Sequence, residues 1–185
     1  MQYDRKITIS AGNNRRAMTW TPQTMLISEL WARLQTPARG TETLAEYLNM
    51  KKAQQDDLKD VGGFMAGTLS GPRRKANAVT GRDVVTLDLD NIPSGGTQDV
   101  LRRVEALGCG YCIYSTRKHS PAAPRLRVLL PTDRTMTADE YEPIARKMAE
   151  LIGLELMDPT TFEVSRLMYL SLIHISEPTR HLRIS

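Results

Sequence analysis

The 185-residue chain is short of cysteine, aromatic residues and long apolar runs, and each shortage removes a class of protein. With only Cys109 and Cys112 there is no disulfide framework, and no second pair exists to complete a four-thiolate zinc site. A lone Cys-x-x-Cys leaves half a zinc site or a redox pair open. Against both, Cys112 falls inside the apolar run from Tyr111 to Tyr114, where a thiol behaves as a small hydrophobe. Aromatic residues make up 5% of the chain, so the stacking platforms of many single-strand binders are not evident. No apolar stretch approaches the roughly 20 residues that cross a bilayer, and the polar N-terminus lacks a signal peptide's apolar region. No membrane association and a reducing cytoplasm are expected. There is no internal repeat or low-complexity tract.

What remains is the composition of an ordinary globular domain, 41% hydrophobic, with 25 Lys and Arg against 21 Asp and Glu for a net charge of +4. That mild excess suits an anionic partner without demanding one. The cations cluster at Arg15-Arg16, Arg73-Arg74-Lys75, Arg102-Arg103, Arg117-Lys118 and Arg125 with Arg127. Most such runs are solvated surface, and the last two are singled out by their neighbours.

Residues 170–180, LSLIHISEPTR, match a translation of the transposase-end adapter used in sequencing libraries, and Ile184-Ser185 fits the constant sequence that follows an index. Residues 170–185 are therefore expected to be adapter-derived, which sets His174 and His181 aside as ligands. The natural protein is expected to continue beyond Tyr169.

Residues 1–80 read as a short strand over 6–10 followed by helices. Met25, Leu26, Leu30, Trp31 and Leu34 recur at helical spacing after Thr21-Pro22, which makes Trp31 a core residue. Residues 41–50 read as another helix, and Gly62, Gly63, Gly67 and Gly71 mark a turn-rich stretch. Residues 81–169 are patterned more sharply. A strand over 84–90 precedes a helix over 97–107, with Thr97 as its N-cap and Gly108 beyond its end. Strands over 111–115 and 126–130 flank a loop containing His119. Thr137 and Glu140 have capping-box spacing at the head of a helix ending before Gly153, and 166–169 closes the set as a strand.

The order βαββαβ predicts an α+β fold, a ferredoxin- or RNA-recognition-like sheet with both helices on one face, preceded by a mostly helical N-terminal part. In that topology strands one and three are central and strand four lies beside strand one. Asp90, His119 and Asp158 then converge at one edge.

Alternation places Thr86, Asp88 and Asp90 on the sheet's open face and turns Val85, Leu87 and Leu89 to the helices. Two carboxylates on one face repel unless a cation or proton compensates, and a divalent metal is the simplest compensation. Oxygen ligands suit Mg2+ or Mn2+, and two such ions stabilise both the attacking and the leaving oxygen of a phosphoryl transfer. Asp158 is the candidate third ligand. The plainer reading is that Asp88 and Asp90 merely open the turn at Asn91, Pro93 and Gly95. Arg125 and Arg127 weigh against it, because Leu126, Val128 and Leu130 claim the helix side and leave both cations on the carboxylate face, as a triphosphate requires. His119 has donors on both sides within Ser115-Thr-Arg-Lys-His119, which favours phosphate binding over an ordinary loop histidine.

With these residues in view, 1–169 resembles the archaeo-eukaryotic primase-polymerase superfamily, especially the phage and mobile-element members fused to helicases and labelled virulence-associated protein E. The likeness rests on an hhhDhD strand at 84–90, a small-x-His motif at Ser115 through His119, and a later Asp in Met157-Asp158-Pro159. It implies that Asp88, Asp90 and Asp158 bind two metal ions, that His119 contacts the incoming triphosphate, and that Arg127, Arg125, Lys118 and Ser115 assist. The implied activity is making or extending primers on a single-stranded DNA template from nucleoside triphosphates, with a helicase domain as partner in the full-length protein. Residues 84–91 also fit the hhhhDxDN motif of haloacid-dehalogenase-like phosphatases, with Asp88 as nucleophile and Asp90 as acid/base. That family expects a later Lys and acidic pair on a longer Rossmannoid chain. A third reading is a non-catalytic nucleic-acid-binding module, which the carboxylates disfavour because they repel phosphates.

Overall fold

The computed structural model describes residues 4–36, 38–170, 172–173 and 183–184. Strand β1 (Lys6–Gly12) buries Ile7 and Ile9 and pairs antiparallel with β2 (Thr21–Leu26). Helix α1 (Ile27–Gln35) follows, and its stripe of Ile27, Leu30, Trp31 and Leu34 enters the core, with Trp31 1% exposed. The helix expected from Thr21 therefore starts six residues late. Pro22 explains the difference, because β2 is an edge strand, where a missing N–H breaks no inner ladder.

Next come β3 (Ala38–Arg39), α2 (Leu44–Asn49), α3 (Lys52–Leu58), β4 (Gly63–Met65) and β5 (Gly67–Leu69). Of the glycines expected in turns, Gly63 and Gly67 lie in strands instead, where neighbouring backbone passes too close for a side chain, while Gly62 and Gly71 lie outside the strands. A Cβ on Gly67 would stand 2.0 Å from the Gly81 carbonyl oxygen, and one on Gly63 2.6 Å from that of Met168. The N-terminal part is thus more strand-rich than its pattern predicts.

The remaining elements are β6 (Val79–Leu89), α4 (Thr97–Glu105), β7 (Cys112–Ser115), β8 (Leu126–Met136), α5 (Ala138–Ile152), β9 (Met168–Tyr169), β10 (Leu172–Ile173) and β11 (Arg183–Ile184). Thr137 caps α5 by accepting the Glu140 N–H, in the expected capping box. Helix α4 has Gly96 rather than Thr97 at its N-cap.

The fold class is α+β. One sheet runs β2-β1-β4-β9, a second runs β11-β7-β8-β6-β5, and β10 pairs with β3. Val85, Leu87 and Leu89 face the helices as alternation requires, packing with Val100 and Val104 of α4 and Tyr141, Ala145 and Ala149 of α5. The opposite face is not open along its length. There Val84, Cys112, Tyr114 and Leu129 pack against Ile7, Ile9, Leu30, Trp31 and Phe64 of the N-terminal layer. Burial pushes the Cys112 thiol up to about 12, in keeping with a packing role.

The last strand departs from the expected topology. Strand β9 lies beside β4, with Gly63 opposite Tyr169, rather than beside β6. The β6 edge is already occupied, by β5 along its first half and by residues 156–161 along its second. The Asn91 N–H donates to the Leu156 carbonyl, the Asp158 N–H to that of Asp88, and the Asp88 N–H to Thr161 Oγ1, so no ladder position remains for a strand. The adapter expectation for 170–185 falls mostly outside the described residues; within it, β10 and β11 add two-residue ladders to β3 and β7. Among the described residues no helix is long and apolar enough to cross a membrane.

Candidate functional site

The exit of β6 and the entry of β8 meet at one end of the five-stranded sheet, with Asp88 opposite Arg127 and Leu89 opposite Leu126. Register alone therefore pairs charge with charge. Arg127 Nε donates to Asp88 Oδ1 at 2.6 Å, and one residue outside each strand Arg125 Nη1 donates to Asp90 Oδ2 at 2.7 Å. Asp158 arrives by a different route. Its N–H donates to the Asp88 carbonyl at 2.9 Å, while its Oδ1 caps the turn Pro159–Phe162, accepting from Thr160 N at 2.9 Å and Thr160 Oγ1 at 2.8 Å. The chain leaving that turn delivers Arg166, whose Nη2 bridges Asp88 Oδ2 at 2.9 Å and Asp158 Oδ2 at 2.8 Å.

These groups line a cleft of about 240 Å³ together with Ser115, Lys118, Tyr114 and Tyr169, and with Tyr47, Lys52 and Lys59 from the α2–α3 region. Burial pushes the Asp88 carboxyl up, but the Arg127 and Arg166 guanidiniums outweigh it and hold the group below the ordinary carboxylate range. Asp90 goes the other way. Burial raises it, Arg125 offsets part of that, and the charges of Asp88 and Asp158 add to the rise. The three carboxylates thus sense one another. Burial lowers the Lys118 ammonium, and Lys52, Arg125 and Lys59 lower it further, against a smaller opposite pull from Asp56.

The family model described as the VapE N-terminal domain matches residues 1–177. The chain belongs to the VapE N-terminal domain family. No curated protein matches this VapE domain. A solved structure similar to it is the AEP domain of the primase-polymerase from cyanophage S-2L, with a TM-score of 0.46 and 11% identity, covering 96% of this chain and 80% of that one.

Of the residues expected from sequence, the VapE domain brings Asp88, Asp90, Asp158, Ser115, Lys118, Arg125 and Arg127 to one cleft. His119 sits beside Arg125: its Nδ1 lies 3.1 Å from the Arg125 backbone nitrogen and 3.3 Å from the Arg125 carbonyl oxygen, which ties the loop to the start of β8. Arg166, Lys52, Lys59 and Tyr47 are cleft residues that the sequence reading passed over. Arg166 had one available signal, its place at the head of the predicted fourth strand beside Asp88. Lys52 and Lys59 flank Asp56 on α3 and pair with it at 2.7 Å each, a pattern indistinguishable in sequence from an ordinary solvated helix face.

Proposed function

We propose that this domain is a template-directed nucleotidyltransferase, which joins a nucleoside triphosphate to a primer 3′-hydroxyl, or to a first nucleotide, on single-stranded DNA. The observation that carries the reading is that three carboxylates, Asp88 and Asp90 from the exit of β6 and Asp158 from a distant turn, share one cleft with Arg125, Arg127, Arg166 and Lys118. Hard oxygen donors within electrostatic reach of one another suit Mg2+ or Mn2+, and Asp88, Asp90 and Asp158 would hold two such ions. Among the described residues no three acidic, His or Cys groups stand in a metal-holding arrangement, and the oxygens of Asp88, Asp90 and Asp158 are paired with guanidiniums. Loading therefore requires Arg166 and Arg125 to exchange carboxylate for triphosphate. Both side chains are partly solvent-exposed, at 23% and 35%, and so have room to turn. Bound divalent ions would supply charge neutralisation at the attacking and leaving oxygens.

Arg125, Arg166 and Lys118 would then bind the phosphates as the hydroxyl attacks the α-phosphorus and pyrophosphate departs in line. Arg127 stays with Asp88 and fixes its orientation. In the full-length protein a helicase would accompany this activity during phage or mobile-element replication. The phosphatase reading loses its structural basis, since among the described residues every pair within the five-stranded sheet is antiparallel and Asp88 is engaged by two guanidiniums.

The test is primer extension on a single-stranded template with Mg2+ or Mn2+. Asp90→Ala removes a partly exposed carboxylate and is expected to cut incorporation by about a thousandfold, roughly 4 kcal/mol of barrier, without lowering Tm. Incorporation within threefold of wild type would sink the mechanism.

A further inference from the structure

Outside the cleft, a cluster of basic residues lies on two neighbouring loops, residues 13–20 between β1 and β2 and residues 70–78 between β5 and β6. Neither contains an acidic residue, and together they carry Arg15, Arg16, Arg73, Arg74 and Lys75. They are joined to each other, since the Trp20 N–H donates to the Pro72 carbonyl at 2.7 Å and the Arg74 guanidinium lies over the Trp20 ring at 5.0 Å.

The loops are also tied to the cleft. Arg74 Nη1 donates at 2.6 Å to the carbonyl of Ser165, the residue before Arg166. Arg15 reaches Asp56, Asp57 and Asp60 around α3, the helix that contributes Lys52 and Lys59 to the cleft wall. Arg15 and Arg74 thus act as struts. Arg16, Arg73 and Lys75 are exposed and make no ion pair among the described residues, and Met18 beside them is 58% exposed. Three unpaired cations next to an apolar side chain match a phosphate backbone with unstacked bases. Two loops, with no helix or strand ribbon free to enter a groove, suit a single strand better than a duplex.

We propose that this two-loop rim grips the sugar–phosphate backbone of single-stranded DNA as it passes to the cleft. The proposal rests on the nucleotidyltransferase reading for its direction, but binding can be measured without turnover.

The probe is a fluorescein-labelled oligo-dT of about 20 nucleotides, titrated with the full chain at several salt concentrations. The triple variant Arg16→Ala/Arg73→Ala/Lys75→Ala is expected to bind about tenfold more weakly near 0.1 M salt, with its log–log salt slope reduced by about two. Arg146→Ala/Lys147→Ala on α5 should match wild type, and triphosphate binding with Mg2+, read by thermal shift, should be the same in all three proteins. Unchanged DNA affinity in the triple variant overturns the rim. So does equal weakening by the α5 pair, or equal affinity of wild type for a duplex of the same length. Lost affinity in the triple variant with no incorporation by wild type would keep the rim and remove the proposed activity. The converse, active wild type and unaltered affinity in the triple variant, would remove the rim alone.

Discussion

At its first end β6 buries Arg82 and Asp83; at its other end it buries Asp88 and half-buries Asp90. The first pair is held by fixed protein partners, with Arg82 Nε alone of its polar atoms buried without a hydrogen bond. Arg82 stacks on the Tyr141 ring at 4.0 Å and donates to the carbonyls of Val84 and Val164 and to Thr86 Oγ1. The Asp83 carboxylate accepts from the Thr8 N–H at 2.8 Å, Arg5 at 2.9 Å and Thr135 Oγ1 at 2.6 Å. At the second end, carboxylates meet guanidiniums across a cleft, and several of those guanidiniums touch solvent. The contrast separates charge buried to define the fold from charge held for exchange with a ligand. Partners of the first kind have nowhere else to go, whereas those of the second can turn to an incoming anion.

Substitutions at the two ends test that contrast. Asp88→Ala should have the largest effect, abolishing incorporation and also costing about 3–5 kcal/mol of stability, because it strips Arg127 of its carboxylate where that side chain is 13% exposed. Urea denaturation reads the second loss; an unchanged midpoint would place Asp88 among the freely exchangeable groups. Asp83→Ala comes next, at about 2–3 kcal/mol from the donors it orphans, with incorporation per folded molecule unchanged. If activity fell with it, the two ends would not be separable.

The smallest effects appear in pH dependence. The folded Asp88 carboxyl lies below its ordinary value of 3.8, so its contribution is present above that value and is lost as pH falls through the lower folded one. The stability gap between wild type and Asp88→Asn should therefore close in acid. Asp90 is raised, so its contribution is present at acid pH and lost as pH rises through the folded value. Asp90→Asn should show a small rise in Tm at pH 7 that disappears in acid, the opposite sign to Asp88→Asn.

The second half of the fold was legible because its signals are local. The Thr137 capping box, Gly108 at φ 67° beyond α4, and the alternation through Val85, Leu87 and Leu89 each fix structure within a few residues. The same alternation, read across an antiparallel pair, was enough to bring Asp88 to Arg127. The N-terminal layer was harder, because Met25 and Leu26 fit the helical stripe yet are claimed by pairing with Lys6 and Ile7. Arg166 was missed because Asp88, the carboxylate it shares with Arg127, lies far away along the chain and the pairing depends on where β9 goes. The cover over the sheet's second face was hidden for the same reason: Val84, Cys112 and Leu129 show no local preference for the partners they meet there.

The place of β9 bears on how the molecule is made. Strand β4 is synthesised well before its partners Met168 and Tyr169, since helices α4 and α5 and the sheet strands between them lie between the two in the chain. Until those partners emerge, the edge of β4 that faces β9 is unpaired and the loop that presents Arg166 has no anchor, so the cleft assembles only after residue 169 has emerged. A pause in translation between α5 and β9 would leave the nascent chain with a helix-backed sheet but no binding site, and with an exposed strand edge for chaperones to cover.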